Sequence, residues 1–276
     1  MGPAGVRAAL ACVATVLFAS EPGLRQAPSY SASSIVNLAS GRERELAPNT
    51  LAAIFGHELA TVTRARRETD LRGGMLPYVL PGTGVTVKVN GLLAGMEYVS
   101  PEVVVFVVPA DLLPGPATVV LTRNALNGPL ARVTLDAVAP ALLPYQEGRA
   151  LARHGQDGNW VTEEEPAQPG EEVVLYATGL GPTNPPQANR KVASERDELE
   201  AAGQLGVQLG GRELEARQLV YAGVTPGAAG IYEVRFVLPW GLGRDPEVRI
   251  RLGERPSQEG LRLFAAEDGG ALAAKE

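Results

Sequence analysis

The side chains that could carry out chemistry in this sequence are few and lie far apart. Two histidines are present, His57 and His154, and His57-Glu58 lacks the second histidine of an H-E-x-x-H zinc site. No serine occupies a G-x-S-x-G turn, and the sequence contains no G-x-x-x-x-G-K-S/T phosphate loop. These residue types predict no catalytic set, no bound metal and no cofactor, and we expect a protein that is not an enzyme.

Two acidic segments look like fragments of known sites. Glycoside hydrolysis needs two carboxylates facing each other across a cleft, and the run Glu163-Glu164-Glu165 supplies only one side. Asp157-Gly158-Asn159 has the opening of a calcium loop, but the later ligands are missing. The first is better interpreted as a solvated loop and the second as a turn.

A cluster of arginines is the strongest candidate for ligand binding. It comprises Arg64, Arg66, Arg67 and Arg72. The cluster falls in a long segment, 61–84, and arginines grip carboxylate, phosphate or sulfate groups with two parallel hydrogen bonds. The alternative is a solvated loop whose arginines pair with the carboxylates of Glu68 and Asp70. A similarly long, charged segment at 182–203 favours this alternative, because it indicates a loop that the fold tolerates twice.

Both tryptophans, Trp160 and Trp240, are candidates for a binding surface. An indole ring can stack on a sugar or anchor a protein contact. The alternative for Trp240 is a conformational or packing role at the end of a strand. Aromatic residues make up only 5% of the chain, which is low for a carbohydrate-binding surface.

The overall composition predicts a globular protein rich in turns. Hydrophobic residues make up 45% of the 276 residues, and the chain contains 32 glycines and 22 prolines. Its formal net charge is −6, whereas nucleic-acid binding usually needs a basic face. We therefore predict no nucleic-acid partner.

The N-terminus has the pattern of a secretory signal. A short basic stretch, Met1–Arg7, precedes an apolar run, Ala8–Ala19, which is too short for a membrane-spanning helix. The one cysteine, Cys12, lies within this run, so the mature chain would have no disulfide; lipidation at Cys12 is an alternative with a poor match to its motif. No later apolar run reaches about 18 residues, which predicts no transmembrane helix in the mature chain. We expect an exported protein that is extracellular, on the cell surface or periplasmic.

The sequence repeats itself once, at a spacing of about 120 residues. The matched blocks, in order, are Pro48–Leu59 with Pro169–Leu180, Val85–Gly91 with Leu205–Gly211, Tyr98 with Tyr221, and Phe106–Pro109 with Phe236–Pro239. Two copies indicate tandem domains, because a solenoid needs three or more repeats.

Each copy has the pattern of an all-β domain. Val85, Val87 and Val89 alternate with polar residues before Asn90-Gly91, a sequence typical of a two-residue hairpin turn. The run 102–108 predicts one buried strand, and Asn127-Gly128 predicts a second hairpin between strands at 118–122 and 130–135. Helical periodicity is weak everywhere except at 194–202, which predicts one or two helical turns there. About seven short strands per copy is the pattern of a β-sandwich.

These observations divide the chain into four parts. We expect a signal peptide and short linker over 1–26, a first sandwich over 27–139, a second over 140–265 and a flexible tail over 266–276. The proline-restricted stretch Ala139–Pro144 predicts a semi-rigid junction between the sandwiches.

Several blocks resemble an acidobacterial, Solibacter-type family of extracellular proteins with tandem immunoglobulin-like (IPT/TIG-like) domains. The most specific are ATGLGP at 177–182, YAGVTPG at 221–227 and VLPWGL at 237–242. The resemblance spans about residues 33–265 and implies export and immunoglobulin-like sandwiches, but no reaction. The sequence departs from the family at His57-Glu58, where a small polar residue and Asn are common, and at the unusually charged 190–200.

Taken together, the sequence predicts a non-enzymatic interaction or structural module at the bacterial envelope or outside the cell: a spacer, part of an adhesin, or an assembly subunit. Its partner would be an envelope or extracellular protein, or a polysaccharide. One alternative is binding of an anionic polysaccharide through the arginine segment. A secreted enzyme of unknown class is the other. Fold alone does not decide among them.

Overall fold

The computed structural model describes residues 26–146 and 148–267. The predicted signal peptide and most of the predicted tail lie outside these residues. The described part is all-β, apart from short 3-10 helices at Ala32–Ser34, Glu68–Asp70, Ala202–Gln204 and Ala216–Gln218. It forms two tandem sandwiches, as the sequence predicts.

The first sandwich contains ten strands. They are β1 (Ile35–Asn37), β2 (Leu51–Phe55), β3 (Arg64–Ala65), β4 (Val85–Val89), β5 (Leu92–Leu93), β6 (Gly95–Val99), β7 (Val103–Val107), β8 (Gly115–Arg123), β9 (Leu126–Asn127) and β10 (Ala131–Leu135). One sheet has the order β1-β2-β7-β6-β3 and the other β10-β8-β4-β5, with β9 beside β8. These are the A-B-E-D and G-F-C-C′ orders of an immunoglobulin-like sandwich.

The core of the first sandwich follows from strand alternation. Val85, Val87 and Val89 are buried between the sheets, while Thr86 and Lys88 point the other way. The hairpin predicted after them is confirmed: Asn90 and Gly91 have φ of 47° and 80°, and Val89 pairs with Leu92.

The second predicted hairpin was misplaced. The tight turn lies at Asn124-Ala125, with φ of 48° and 66°, and it joins β8 to β9 through the pair Arg123 and Leu126. Asn127 belongs to β9 instead, where its side chain accepts a hydrogen bond from the Thr122 hydroxyl at 2.8 Å. An asparagine can supply positive φ at either place, and the strand register decides which one turns the chain.

The second sandwich contains the remaining strands. They are β11 (Ala141–Leu142), β12 (Pro144–Gln146), β13 (Arg149–Ala150), β14 (Ala152–His154), β15 (Glu172–Thr178), β16 (Thr183–Asn184), β17 (Glu198–Leu199), β18 (Leu205–Leu209), β19 (Arg212–Glu213), β20 (Leu219–Val224), β21 (Tyr232–Val237), β22 (Val248–Leu252) and β23 (Arg255–Pro256). One sheet has the order β11-β15-β21-β20-β17-β16 with β14 beside β15, and the other β19-β18-β22-β23; β12 and β13 pair separately.

The internal repeat now has a structural meaning. The matched sequence blocks form β2 and β15, β4 and β18, β6 and β20, and β7 and β21, and each pair occupies the same place in its sandwich. The helix predicted at 194–202 is wrong: this segment contains bends and the short strand β17, which pairs with β20 through Glu198 and Gly223. Its helical periodicity comes from charged residues with little apolar surface to bury, and packing stabilises most protein helices more than propensity does.

One sheet of each sandwich packs face to face against the other: the β1-β2-β7-β6-β3 sheet of the first and the seven-stranded sheet of the second. Every residue of β7 is buried: Val104 and Phe106 face the core of their own sandwich, while Val103, Val105 and Val107 face the second sandwich. They form one apolar cluster with side chains of the second sandwich, including Val174, Tyr176 and Ile231. The uninterrupted apolar run at 103–108 therefore reflects a strand that is buried on both faces.

Candidate functional site

The arginine segment leaves the first sandwich at the edge of the β1-β2-β7-β6-β3 sheet. The edge strand β3 pairs with β6, so that Arg64 lies opposite Val99 and Ala65 opposite Tyr98. The backbone amide of Arg66 continues the pairing by donating to the carbonyl of Glu97 at 2.8 Å. A 3-10 turn at Glu68–Asp70 then folds the chain back. This pairing places the side chains that follow β3 at the rim of the sandwich.

Arg64 is held by a buried carboxylate. Its Nη2 lies 2.8 and 3.0 Å from the two oxygens of Asp70, and Asp70 Oδ2 also accepts from the backbone amide of Arg67 at 2.8 Å. The side chain of Asp70 is only 6% exposed. Arg64 therefore forms an ion pair within its own segment, and Asp70 largely neutralises its charge.

Arg66 is held in the same way by a neighbouring strand. Its Nε lies 2.8 Å from Oε2 of Glu97 on β6, and the two side chains are 11% and 14% exposed. Breaking such a partly buried pair costs more than breaking a surface pair, because the remaining charge is poorly solvated. Arg66 thus ties the segment to the sheet.

The two other arginines of the segment are exposed. Arg67 lines an open depression of about 460 Å³ together with Val62, Thr63, Arg64, Ala65, Arg66 and Pro81. Arg72 does not line it and lies further along the chain. The structure therefore brings three of the four predicted arginines together, and Arg67 is the one among them whose guanidinium forms no ion pair within the described residues.

The two tryptophans occupy different environments. Trp160 is partly buried: it stacks on Tyr145 at 6.5 Å, contacts Tyr176 at 6.0 Å, and carries the guanidinium of Arg153 3.9 Å from its ring centre. These contacts pack the Trp160 ring within the second sandwich. Arg153 was not singled out in the sequence, where it is one basic residue among many.

Trp240 is exposed, at 66%, and follows β21. The edge of its indole lies beside Gly170, where an added Cβ would stand 3.4 Å from Nε1 and Cζ2. Its carbonyl faces Nη1 of Arg212 at 3.4 Å. Among the described ring contacts none joins Trp240 to Trp160, so the two indoles do not form one aromatic surface.

The unusual pair His57-Glu58 has a structural role. Glu58 has a φ of 57°, a left-handed conformation in which Asn is favoured over Glu. Its carboxylate lies 2.7 Å from Nη1 of Arg123, whose side chain is only 5% exposed and also donates to the carbonyl of Gln26. The strained glutamate thus anchors a buried arginine that holds residue 26 against the sandwich.

The long charged segments of the two sandwiches meet, which sequence reasoning did not anticipate. Met75 pairs with Lys191 in an antiparallel bridge, and the backbone of Leu76 donates to the carbonyl of Arg190 at 2.7 Å. Their similar length and charge was the one available signal. By itself, this similarity predicts only a loop that the fold tolerates at one end of each sandwich.

Other chemistry finds little support in the described part of the chain. Within residues 26–146 and 148–267, no three His, Cys, Asp or Glu side chains come together as metal ligands. No helix in the same residues has the length and hydropathy needed to cross a membrane. The side chains that cluster do so as ion pairs and aromatic contacts, which can hold a surface in place or bind an anion.

No protein-family model and no curated protein matches the sequence. Among solved structures, the chain is similar to the surface glycan-binding protein SGBP-B of Bacteroides ovatus bound to a mixed-linkage heptasaccharide, with 8% identity, a TM-score of 0.31, and coverage of 81% of this chain and 44% of that one. It is also similar to SGBP-B of Bacteroides uniformis, with 9% identity, a TM-score of 0.27, and coverage of 87% and 50%. A third similarity is to domains 5–6 of the S-layer protein SbsC, with 9% identity, a TM-score of 0.26, and coverage of 81% and 92%. The chain thus spans half or less of the two SGBP-B chains, and at these scores the functional argument rests on its own residues.

Proposed function

We propose that this chain is an exported, non-enzymatic module, acting as a spacer, adhesin part or assembly subunit at the bacterial envelope or outside the cell. The observation that carries the proposal is the buried contact between one sheet of each sandwich. A sheet face covered by another domain is withdrawn from ligand binding and contributes to rigidity instead. The Solibacter-type resemblance and the signal-like N-terminus support export.

Apolar packing in this interface is reinforced by buried hydrogen bonds. The hydroxyl of Thr178 on β15 accepts from the backbone amide of Leu51 at 2.8 Å and donates to the carbonyl of Gly230 at 2.6 Å. Thr178 has no exposed surface. Because an unpaired buried amide or carbonyl is costly, these bonds favour one relative placement of the sandwiches.

A second set of hydrogen bonds across the interface involves a residue in the C-terminal part of the second sandwich. Nε2 of Gln258 donates to the carbonyls of Ala39 in the first sandwich, at 3.3 Å, and of Leu142 in the second, at 2.6 Å. Arg255 pairs with Asp136 at 3.2 Å nearby. Contacts from two separate segments of the second sandwich oppose hinge motion, which is the default expectation for a small or polar domain interface.

The experiment measures rigidity and activity on the same protein. We expect small-angle scattering of residues 26–276 to fit one block with the sandwiches side by side. Val105→Asp, which buries a charge in the interface, should lengthen the particle. The matched variant Val220→Asp, at an exposed position, should not. A wild-type profile that requires freely hinged domains would contradict a rigid module, and a saturable hydrolytic activity abolished by one carboxylate substitution would contradict the non-enzymatic role.

The exposed arginine at the depression favours a second candidate function, binding of an anionic polysaccharide through the arginine segment. Arg67 borders an open concavity whose other arginines are held rigidly by Asp70 and Glu97. Exposed charge pairs are screened beyond about 8 Å at physiological ionic strength, so binding should weaken as salt rises. Retention on immobilised heparin or polygalacturonate at low salt, compared with neutral dextran, measures this.

A further inference from the structure

We propose that Arg72 of the first sandwich and Lys191 of the second together bind an acidic polysaccharide across the domain junction. This inference deepens the second candidate function, because it adds a residue from the other sandwich to the arginine segment. The rigid interface would then have a function, because the site forms only when the two sandwiches keep their relative placement.

A tight turn sets the first half of the site. Arg72 and Met75 exchange backbone hydrogen bonds of 3.2 and 3.0 Å across Gly73-Gly74, whose φ values are 58° and 72°. Two successive residues at positive φ form a type I′ turn, which suits glycine at both positions. Arg72 and Met75 therefore stand opposite each other, with their side chains on the same face.

The second sandwich extends this small ladder by one strand. Met75 pairs in turn with Lys191, and the bonds on either side run from Leu76 to the carbonyl of Arg190 at 2.7 Å and from Val192 to the carbonyl of Gly74 at 2.9 Å. Residues directly opposite in antiparallel strands share a face, so Arg72, Met75 and Lys191 form one row. We call these three residues the junction row.

The spacing of the junction row suits a chain of separate anionic groups. Directly opposite Cα atoms are about 4.5 Å apart in a pair flanked by hydrogen bonds and about 5.5 Å apart in a pair that exchanges them, so the two cations start roughly 10 Å apart. Their long side chains can reach one anion or two successive ones. Met75, half-buried between them, offers an apolar surface to the ring of a sugar.

Side-chain contacts hold the pairing beneath the row. Nη1 of Arg190 donates to the carbonyl of Leu76 at 2.8 Å, and its guanidinium lies 5.7 Å from the ring centre of Tyr78. Nδ2 of Asn189 donates to the carbonyl of Leu93 at 3.2 Å. Arg190 thus serves the structure of the junction, whereas its neighbour Lys191 is exposed.

The two charges of the junction row are free to bind an anionic ligand. Arg72 and Lys191 are exposed, and neither forms an ion pair within the described residues, in contrast to Arg64 and Arg66. Charge complementarity therefore selects an anionic partner. Two cations on a chain of net charge −6 fall short of the several phosphate contacts that nucleic acid needs, and carboxylated or sulfated polysaccharide fits better.

The test uses residues 26–276, with immobilised heparin as the sulfated probe, polygalacturonate as the carboxylated probe and dextran as the neutral control. Lys191→Ala and Arg72→Ala should each weaken binding about two- to fivefold, the range for one exposed charge pair. The double variant should weaken it further and flatten its salt dependence. The matched double variant Arg44→Ala with Lys88→Ala removes the same charges at two other exposed positions and should bind like wild type.

The outcomes separate this inference from the arginine segment alone. If Arg72→Ala and Arg67→Ala weaken binding while Lys191→Ala does not, the segment binds but the junction row is wrong. Equal losses in the junction and matched double variants would show a nonspecific charge effect and overturn the row. No retention of wild type on either acidic probe would overturn both. Thermal unfolding confirms that each variant is folded, which their exposure leads us to expect.

Discussion

The side-chain amide of Asn49 donates a 2.9 Å hydrogen bond to the hydroxyl of Tyr232, a residue with no exposed surface in the core of the other sandwich. The same hydroxyl donates to the carbonyl of Gly181 at 2.7 Å. A loop of the first sandwich is thus bonded to a core residue of the second. The two domains share this polar group, and their stabilities should be coupled.

Tyr232→Phe tests this coupling. The substitution keeps the ring but removes the hydroxyl, which leaves the carbonyl of Gly181 and the amide of Asn49 without this partner. We expect a loss of about 1–3 kcal/mol in the free energy of unfolding, measured by urea denaturation. Tyr78→Phe, at a position 47% exposed, is the control and should be close to neutral. Equal effects from both substitutions would argue against a shared buried bond.

Val105→Asp should separate the unfolding of the two sandwiches. Val105 is 3% exposed and lies on the face of β7 that meets the second sandwich. An unpaired charge there costs more than about 3 kcal/mol unless the domains part to hydrate it. We expect calorimetry to show two transitions in the variant and one in the wild type. Val220→Asp, 53% exposed, should retain a single transition, and two transitions in the wild type itself would show that the interface is weak.

Alkaline pH should destabilise the protein. Burial raises the pKa values of Tyr30, Tyr176 and Tyr232, and burial followed by the charge of Glu233 raises the pKa of Tyr221 to about 12. A raised pKa means that the folded state keeps a proton that the unfolded state releases near pH 10. The stabilisation is therefore complete below pH 10 and falls above it, by up to about 1.4 kcal/mol per pH unit for a fully buried tyrosine.

Urea denaturation at a series of pH values measures this loss. Tyr221→Phe removes one of the titrating groups, so its free energy of unfolding should fall less steeply than that of the wild type between pH 10 and pH 12. Its absolute stability at pH 8 should be lower, because the Tyr221 hydroxyl bonds to the carbonyls of Asp197 and Val224 at 3.0 and 3.1 Å. A pH-independent stability up to pH 12 would contradict the raised pKa values.

The arginines at the depression should divide into two groups by stability. Arg66→Ala removes a 2.8 Å ion pair between side chains that are nearly buried, and we expect it to cost about 1–3 kcal/mol. Arg67→Ala removes an exposed side chain and should lie within about 0.5 kcal/mol of the wild type. Chemical denaturation of both variants gives the comparison. A neutral Arg66→Ala would mean that this arginine is free to bind a ligand.

Local patterns in the sequence determined the sandwiches. The alternation of Val85, Val87 and Val89 assigns one face of β4 to the core, and Asn90-Gly91 supplies the positive φ that its hairpin turn requires. These features depend on neighbouring residues and on the backbone alone. The repeat adds that the same pattern occurs twice. Together they are sufficient for an all-β fold of two tandem domains.

Tertiary structure decided which charged and apolar residues are exposed to a partner and which are paired or buried within the protein. Arg66 meets a carboxylate 31 residues away, and Arg190 meets the carbonyl of Leu76 across 114 residues. Neither contact can be predicted from a local sequence pattern, because the spacing of charged residues along the chain does not specify a distant partner. The apolar run of β7 shows a strand buried on both faces, but only the folded chain shows that a second sandwich covers the outer one. The same packing brings Arg72 and Lys191 into one row.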